Sequence, residues 1–325
     1  MLSRRVFLQS AAAVPVLAGA GVARAAAPQG PKALTSDAKP ISVQERRSRI
    51  EKAQGLMTQR KVGALLIESG SSLEYFTGVR WRRSERTTLA IIPAVGDVLV
   101  VTPAFEEPSV RETLQVGGDV RPWDEHENPF EKIVQGLKDR GVSGGVLAAE
   151  STMRFFIVAG IRQASSAYEI IPADPIVRAC RLIKSPAELA LLQLANDVTI
   201  AALRHVHAQI SAGMSGSDIG ALMDRATIDL GGSPEFSLVL LNEASAYPHG
   251  SVKPQKVREG SVILMDCGCA VQGYESDISR SWVFGQASAK QRKVWNTVKR
   301  GQEIALQTAK LNVPVGSIDD AVRKY

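Results

Sequence analysis

The sequence contains few cysteines and few aromatic residues, and these shortages exclude several classes of protein. Three cysteines in 325 residues are too few for a fold held together by disulfides. Aromatic side chains make up 5% of the residues, and no arginine-rich tract lies among them, so the chain lacks a platform for stacking nucleic-acid bases. After the N-terminal segment, no apolar run approaches the roughly 18 residues of a membrane span. The composition, 45% hydrophobic and 22% charged, is typical of a globular protein, and the length predicts two domains.

The first 25 residues have the pattern of an export signal. The pair Arg4-Arg5 precedes an alanine-rich apolar stretch over 11–23, and Ala23-Arg24-Ala25 offers the small-x-small pattern that signal peptidases accept. The segment 1–25 resembles a twin-arginine signal, which implies export of an already folded protein to the bacterial periplasm. An uncleaved membrane anchor is the alternative, but the apolar stretch is short, Pro15 interrupts it, and its small-residue exit favours cleavage.

The net charge gives no sign of a polyanionic partner. The formal charge is +6, but Arg4, Arg5 and Arg24 lie in the expected signal. Without these three arginines, 36 of the 39 basic residues remain against 33 acidic ones, which leaves about +3. That excess is too weak to indicate binding to nucleic acid, and we expect no nucleic-acid partner.

Shifts in composition divide the rest of the chain into four segments. A tether rich in proline, alanine and glycine covers 26–40, and an α/β domain with alternating helix and strand patterns follows over 41–172. Three prolines from Pro172 to Pro186, together with a basic run, predict a linker over 173–186. A second domain over 187–325 combines long helical patterns with three strand-like runs, which is typical of an α+β architecture.

The last ten residues have the spacing of a helix that has not yet ended. Ile318, Ala321, Val322 and Tyr325 recur at i, i+3, i+4 and i+7, which predicts an amphipathic helix. No glycine, asparagine or chain-breaking residue follows them as a C-terminal cap. The pattern therefore predicts that the sequence stops inside a structural element.

Two aspartates in the second domain are the strongest candidates for chemistry. If the strand-like runs around them pair as a hairpin about Val271-Gln272, Asp266 lies directly opposite Asp277, with Cβ atoms about 4.5–5.5 Å apart. Two bare carboxylates at that spacing repel and need a cation or a shared proton. Carboxylate oxygens suit divalent metals, and apolar flanking residues predict burial. The alternative is a solvated hairpin with two exposed acids.

One histidine and two cysteines lie near these aspartates in the sequence. His249 follows a strand pattern in a turn-forming context, where an imidazole can donate a hydrogen bond to an oxyanion or move a proton. A surface turn histidine is the alternative. His205 and His207 stand two apart on a predicted helix and do not share a face, so we interpret them as structural. Cys267 and Cys269 alternate away from Asp266 and are expected to be core thiols.

Seven motifs in this chain resemble those of a known enzyme family. Five of them, in family order, resemble the Xaa-Pro aminopeptidase/prolidase family of metallopeptidases: Arg181-Leu-Ile-Lys184-Ser-Pro-Ala-Glu188, Gly213-Met-Ser-Gly216, Tyr247-Pro-His249-Gly250, Met265-Asp266-Cys-Gly268 and Gly273-Tyr274-Glu-Ser-Asp277-Ile-Ser-Arg280. Two motifs of the first half are similar to the creatinase-type domain that precedes the catalytic domain in those enzymes: Ser72-Leu-Glu-Tyr75-Phe-Thr77-Gly78 and Arg86-Thr-Thr-Leu-Ala-Ile-Ile-Pro93.

The resemblance implies a fold, a cofactor and a reaction. The fold would be an α/β creatinase-like N-terminal domain followed by an incomplete α+β pita-bread catalytic domain. The cofactor would be two divalent metal ions, manganese with cobalt or zinc as alternatives, held by two Asp, one His and two Glu. Asp266 and Asp277 match the two Asp, and His249 matches a substrate-binding histidine. A metal-bridged hydroxide would attack the peptide bond before proline.

The resemblance also implies a role for a loop of the N-terminal domain. In this family the loop that corresponds to 79–86 often reaches into the active-site cleft of a neighbouring subunit, which implies a homodimer or a larger assembly. Trp81 and Arg86 would then stack on a proline-containing peptide and bind its carboxylate. A solvated basic loop is the alternative.

The chain departs from the family in its ligand set. No histidine follows His249, and the carboxylates after Asp277 are only Glu303, Asp319 and Asp320, on predicted helices where the family has no ligands. The resemblance therefore implies that the remaining ligands lie in a missing C-terminal portion and that this chain is inactive alone. Two other functions stay open: a creatinase-like or ectoine-hydrolase-like enzyme acting on a small C–N substrate, and a non-catalytic binding protein that kept the fold.

Overall fold

A computed structural model describes residues 33–325. The expected export signal, 1–25, and residues 26–32 of the expected tether lie outside the described residues. The described chain forms an α/β domain followed by a second domain with its own sheet, which confirms the expected fold class. None of the helices within 33–325 is long and apolar enough to cross a membrane.

The first domain is built on a six-stranded mixed sheet. Its strand order is β4-β3-β2-β1-β5-β6, in which β1, β2 and β3 pair antiparallel and the remaining pairs are parallel. Residues 94–97 join β2 to β3 as an antiparallel hairpin. The strands are β1 (Ala64–Glu68), β2 (Leu89–Pro93), β3 (Val98–Pro103), β4 (Gly118–Trp123), β5 (Gly145–Ala149) and β6 (Tyr168–Pro172).

Helices cover both faces of this sheet, which explains the continuous apolar runs of its central strands. Every residue of β1, β2 and β3 is buried, as expected of strands packed on two sides. The 3₁₀ turn Ala104–Glu106 precedes one of the helices. The helices are α1 (Val43–Gln59), α2 (Ser71–Thr77), α3 (Glu107–Thr113), α4 (Pro129–Asp139), α5 (Phe155–Ala164) and α6 (Asp174–Arg181).

The segment 173–186, expected as a linker, contains helix α6 instead. Its buried side chains, Ile176, Val177 and Cys180, pack into the same core as α1 and α2. Pro175 lies in the first turn of the helix, where a missing N–H has no cost. The prolines in this segment therefore mark the start of two helices rather than an irregular connection.

The second domain packs two long helices against one face of a small antiparallel sheet. The strand order is β10-β8-β7, with the short β9 paired to β8. The 3₁₀ turn Asn242–Ala246 follows β7. The elements are α7 (Pro186–His207), α8 (Gly216–Asp229), β7 (Ser233–Leu241), β8 (Val262–Val271), β9 (Tyr274–Glu275), β10 (Ile278–Val283), α9 (Ala289–Thr308) and α10 (Gly316–Lys324).

Local sequence signals place the helix starts of this domain. Three helices, α7, α8 and α9, begin with a capping box at Ser185, Ser215 and Ser288. In each, the serine hydroxyl accepts a hydrogen bond from the N–H of the third helical residue. The side chain of that third residue, a Glu, Asp or Gln, accepts one from the N–H of the serine. Alternate residues of β8, among them Met265 and Cys267, pack against α7 and α8. The intervening residues of β8 therefore lie on the opposite face of the sheet.

The residues before α1 lie against the second domain rather than forming a free tether. The Leu34 N–H donates to the Leu230 carbonyl at 2.9 Å, and the Thr35 hydroxyl donates to the Gly231 carbonyl at 2.9 Å. Ile41 is 3% exposed and belongs to the core of the second domain. The described part of the expected tether thus joins the start of α1 to the second domain.

Candidate active site on the C-terminal sheet

The hairpin that carries the two aspartates has a different register from the one predicted. Its turn is Gln272-Gly273, with φ of 51° and 81°, and positive φ at both central residues is the mark of a type I′ turn. Asp266 therefore pairs with Ser279 and not with Asp277. The predicted turn was one residue too early, so the predicted pairing was wrong by two residues.

This shift keeps both aspartates on one face of the sheet. Asp277 lies two residues before Ser279, so the alternation of an extended chain turns it to the side of Asp266, one diagonal step away. Its neighbour Ser276 points the other way, because its buried hydroxyl bonds Thr199 at 2.7 Å beneath the sheet. The diagonal arrangement weakens the repulsion expected of directly opposed carboxylates.

The two carboxylates differ in their surroundings. Asp266 is half-buried, and its Oδ1 accepts a hydrogen bond from the Ser279 hydroxyl at 2.7 Å. Asp277 is exposed, so the expectation that apolar neighbours would bury it was wrong. The apolar residues that flank the pair in sequence point to the helix side of the sheet, where Ile278 and Met265 lie in the core.

An aromatic ring missed by sequence reasoning lies next to this pair. Phe236 on β7 pairs with Gly268 on β8, two residues from Asp266. A Cβ atom placed on Gly268 would lie 2.5 Å from Cε1 of the Phe236 ring, so the ring lies directly over the glycine. The period-two pattern of β7 could have indicated Phe236, because its neighbour on the same face, Leu238, pairs with Asp266.

The structure places His249 on an exposed turn above the same face. The turn closes through a hydrogen bond from the Gly250 N–H to the Tyr247 carbonyl at 3.0 Å. A Cβ atom placed on Gly250 would lie 3.1 Å from Leu240 and 3.8 Å from Leu238, which line the Asp266 face. His249 is exposed, and its imidazole makes no hydrogen bond to another side chain or to the backbone among residues 33–325.

Trp81 and Arg86 lie in the N-terminal domain and make their contacts there. Trp81 is half-buried against the core of that domain, and its indole N–H donates to Glu106 at 3.1 Å. Arg86 donates through Nε to Glu125 at 2.5 Å, and its guanidinium lies 5.1 Å from the centroid of the Phe105 ring. Neither residue contacts the hairpin of Asp266 within the described part of one chain.

The described residues supply an incomplete set of metal ligands. Within 33–325 no group of three or more His, Cys, Asp or Glu side chains is placed to hold a metal ion. The oxygens of Asp266 and Asp277 have the right chemistry for a divalent ion, but two carboxylates alone do not complete a site. Cys267 does not join them, because its side chain is buried in the core on the helix side of the sheet. Burial and the charge of Asp266 raise the pKa of its thiol to about 12.

Comparison with known families and proteins agrees with this architecture. Residues 190–325 match the metallopeptidase family M24, and residues 49–183 match the creatinase/prolidase N-terminal domain. An uncharacterized peptidase of Schizosaccharomyces pombe is 30% identical over 311 residues, covering 90% of this chain and 67% of the relative. A Xaa-Pro dipeptidase of Pyrococcus horikoshii is 22% identical over 286 residues, covering 85% of this chain and 75% of the relative.

Solved structures share the same fold. A prolidase from Thermococcus sibiricus superposes with a TM-score of 0.79 at 24% identity, covering 86% of this chain and 76% of that one. An X-Pro aminopeptidase from Thermotoga maritima superposes with a TM-score of 0.75 at 23% identity, covering 85% and 76%. The family implies a divalent metal cofactor. With both of its domains matched, the chain belongs to metallopeptidase family M24 with a creatinase/prolidase N-terminal domain, and its enzyme class is peptidase.

Proposed function

We propose that this protein is a metal-dependent Xaa-Pro peptidase, of the aminopeptidase or dipeptidase type, which hydrolyses the peptide bond before proline. The observation that carries the proposal is the placement of Asp266 and Asp277 on one face of the β8–β10 hairpin, in a chain of family M24. Relatives named Xaa-Pro dipeptidase and prolidase support the substrate class.

Each candidate residue has a role in this proposal. Asp266 and Asp277 would supply two of the side-chain ligands for two divalent ions, manganese in the first instance. When bound, such a metal acts as a Lewis acid on the substrate carbonyl. His249, which is exposed on the turn whose Gly250 lies near Leu240 and Leu238, donates a hydrogen bond to the oxygen of that carbonyl. Phe236 offers an apolar surface to a substrate side chain beside Gly268.

The N-terminal domain supplies substrate contacts across a subunit boundary in this proposal. Trp81 stacks on the peptide and Arg86 binds its carboxylate in a neighbouring copy, so the working unit is a homodimer or a larger homo-oligomer. Exposed arginines around Trp81, such as Arg82, give this loop the positive charge that a peptide carboxylate requires. The sedimentation coefficient of the purified protein measures the assembly directly, and a monomer at micromolar concentration would contradict this part of the proposal.

We further propose that the protein works in the periplasm after twin-arginine export. The support is the sequence of residues 1–25 alone. The N-terminal sequence of the protein recovered from a periplasmic fraction tests it: we expect a start near Ala26. Replacement of Arg4 and Arg5 by lysine should retain the precursor in the cytoplasm, and an unchanged distribution would contradict twin-arginine export.

The activity is tested on protein purified from the cells that encode it, with Gly-Pro and Ala-Pro-Ala as substrates and Mn²⁺ as the metal. Asp266→Asn keeps the shape of the side chain and removes its charge, and we expect hydrolysis to fall at least roughly a thousandfold. Asp197→Asn on the exposed side of α7 is the matched control and should keep wild-type activity. A fall of less than about tenfold at position 266 would reject the assigned role.

The ligand count makes a separate prediction about metal binding. Asp266 and Asp277 are the two carboxylates that the described residues place on one face. With these two ligands, the recombinant 325-residue chain should bind Mn²⁺ with a dissociation constant above the micromolar range, as measured by isothermal titration. Protein purified from the cells that encode it is assayed in parallel for Xaa-Pro hydrolysis. A two-ion isotherm of micromolar affinity or tighter on the recombinant chain would contradict the incomplete ligand set, and absence of hydrolysis in the cellular protein would contradict the proposed function.

A further inference from the structure

Several motif residues that the candidate active site does not use meet at the junction of the two domains. Tyr75 comes from α2, Glu188 from the first turn of α7, and Tyr274 from β9. They lie around one arginine, Arg49 of α1, although the four positions span 225 residues of sequence. Their convergence indicates a role that is common to all of them.

Arg49 is buried and uses its guanidinium in several directions at once. Its side chain is 6% exposed. Nη1 donates to the Tyr75 carbonyl at 3.0 Å, and the guanidinium carbon lies 4.1 Å from the centroid of the Tyr75 ring. Nη2 donates to the Tyr274 hydroxyl at 3.1 Å and to Glu45 at 2.7 Å, and it lies 3.4 Å from Glu188. The guanidinium thus joins the N-terminal domain to the first helix and the hairpin of the second.

Tyr274 and Glu188 of the second domain contact each other as well as Arg49. The Tyr274 hydroxyl donates to Glu188 Oε1 at 3.1 Å, while Glu188 Oε2 accepts the Ser185 N–H at 2.8 Å. Burial raises the pKa of Tyr274 to about 12, so its hydroxyl keeps the proton that it donates. The Ser185 hydroxyl in turn donates to Glu45 of α1 at 2.7 Å.

The turn of the hairpin, Gln272-Gly273, also contacts the N-terminal domain. Arg80 donates through Nη2 to the Gln272 side chain at 3.2 Å and through Nε to Glu74 at 2.7 Å. Gly273 lies so close to Glu74 that an added Cβ atom would overlap its carboxylate. The turn of the hairpin and the residue next to it, Tyr274, are therefore both held by the first domain.

We propose that Arg49 is a positioning residue, which acts through Tyr274 to fix the hairpin that presents Asp277 and Asp266 to the metal. Asp277 lies three residues after Tyr274, in the extended segment between β9 and β10. The chain on the other side of Asp277 is fixed by the β10–β8 ladder, which begins at Ile278. The role given to Asp277 rests on the proposed function; the clamp itself does not.

The chemistry of the junction requires arginine rather than any cation. A guanidinium offers five N–H donors in a rigid plane, whereas a lysine ammonium is a point charge on a flexible stem. Only the planar guanidinium can contact a carbonyl, a hydroxyl and two carboxylates at once while it stacks on the Tyr75 ring. Loss of the arginine would also leave Glu188, which is 5% exposed, as a buried charge without its partner.

The experiment compares Tyr274→Phe, Arg49→Lys and Arg49→Met with the wild-type chain. Tyr168→Phe is the matched control, because it also removes a tyrosine hydroxyl with a protein partner, the Val142 carbonyl at 2.7 Å, far from the junction. Amide hydrogen exchange is followed over the hairpin 262–283 and over β3. Mn²⁺ affinity is measured by isothermal titration on the same proteins.

We expect Tyr274→Phe and Arg49→Lys to accelerate exchange in the hairpin roughly tenfold or more, since each loses a charge-assisted hydrogen bond that restrains it. Exchange in β3 should change by less than about twofold, and the Mn²⁺ affinity should fall about fivefold or more. Tyr168→Phe should leave hairpin exchange and Mn²⁺ affinity unchanged. If Arg49→Met does not fold, Tyr274→Phe still decides the question.

Three results would overturn the positioning role. Unchanged exchange in the hairpin of both folded variants would show that the junction does not restrain it. Equal acceleration in the hairpin and in β3 would show a general loss of stability. Faster hairpin exchange with wild-type Mn²⁺ affinity would show that the restraint does not reach the aspartates. If the wild-type protein purified from the cells that encode it does not hydrolyse Xaa-Pro peptides, the proposed function fails, and the exchange data alone decide whether Arg49 holds the hairpin.

Discussion

Gly268 is the position at which one added methyl group should disturb both the fold and the candidate site. It lies on β8, two residues after Asp266, with the Phe236 ring over its Cα atom. An added Cβ would lie less than 3.0 Å from the Ser276 carbonyl oxygen, a distance that real Cβ atoms essentially never show, and 2.5 Å from Cε1 of Phe236. The substitution Gly268→Ala therefore forces at least one of these groups to move.

The cost depends on which neighbour can move. Phe236 is 39% exposed, so its ring can rotate toward solvent. The Ser276 oxygen is a backbone atom of the neighbouring chain segment and cannot rotate away. The Ser276 N–H donates to the Cys269 carbonyl at 2.9 Å, and the Ser276 hydroxyl is held beneath the sheet by its hydrogen bond with Thr199. Relief of this second contact must separate the strands locally, and overpacking of this kind costs about 1–3 kcal/mol. Because Asp277 follows Ser276, the same displacement should weaken Mn²⁺ binding.

Urea unfolding followed by far-ultraviolet circular dichroism measures this cost. Gly55→Ala in α1 is the matched control, because an added Cβ there meets nothing within 4 Å. The higher helix propensity of alanine should stabilise that variant by about 0.5–1 kcal/mol. The two glycine-to-alanine changes should thus have opposite signs. A Gly268→Ala protein within about 0.5 kcal/mol of the wild type would refute the close packing of β8 against Ser276.

Three further predictions concern single side chains. His249→Ala should lower turnover of Gly-Pro roughly a hundredfold while metal stoichiometry stays constant, and loss of metal would instead identify His249 as a ligand. Trp81→Ala should raise the Michaelis constant without a change in metal content, and an unchanged constant would reject the substrate contact. Burial raises the pKa of Glu150, although a hydrogen bond from Ser72 and the charge of Arg181 act to lower it. The folded state therefore binds this proton more tightly, so Glu150 costs stability above its folded pKa. Glu150→Gln should be more stable than wild type at pH 7, with the difference lost in acid, and a less stable variant at pH 7 would contradict this sign.

The local features of this fold were predictable because they depend on residues that are close in sequence. Ser42, Ser215 and Ser288 each begin a helix where a capping residue precedes a helical apolar pattern. The turn at 94–97 lies between two apolar runs, which form the β2–β3 hairpin. The family was predictable for a related reason, since its motifs are short runs such as that from Gly273 to Arg280.

Helix α6 shows where composition misled. Prolines and basic residues in 173–186 predict a linker when they are counted, but Pro175 occupies a first helical turn and Ile176, Val177 and Cys180 form an apolar stripe. The stripe is short, and its partner is the core built by α1 and α2, which are about a hundred residues away in sequence. Packing, rather than local propensity, therefore decides that this segment is a helix.

The sequence by itself determined that two aspartates lie on one face of a hairpin, because the alternation of an extended chain preserves the face under a shift of two residues. Only the tertiary structure decided their register, since the type I′ turn at Gln272-Gly273 fixes the pairing and the first domain holds that turn in place. Phe236 over Gly268 and Arg49 beside Tyr274 were likewise decided by tertiary contacts. Their partners are 32 and 225 residues away, and no periodicity or capping signal in one sequence extends over such separations.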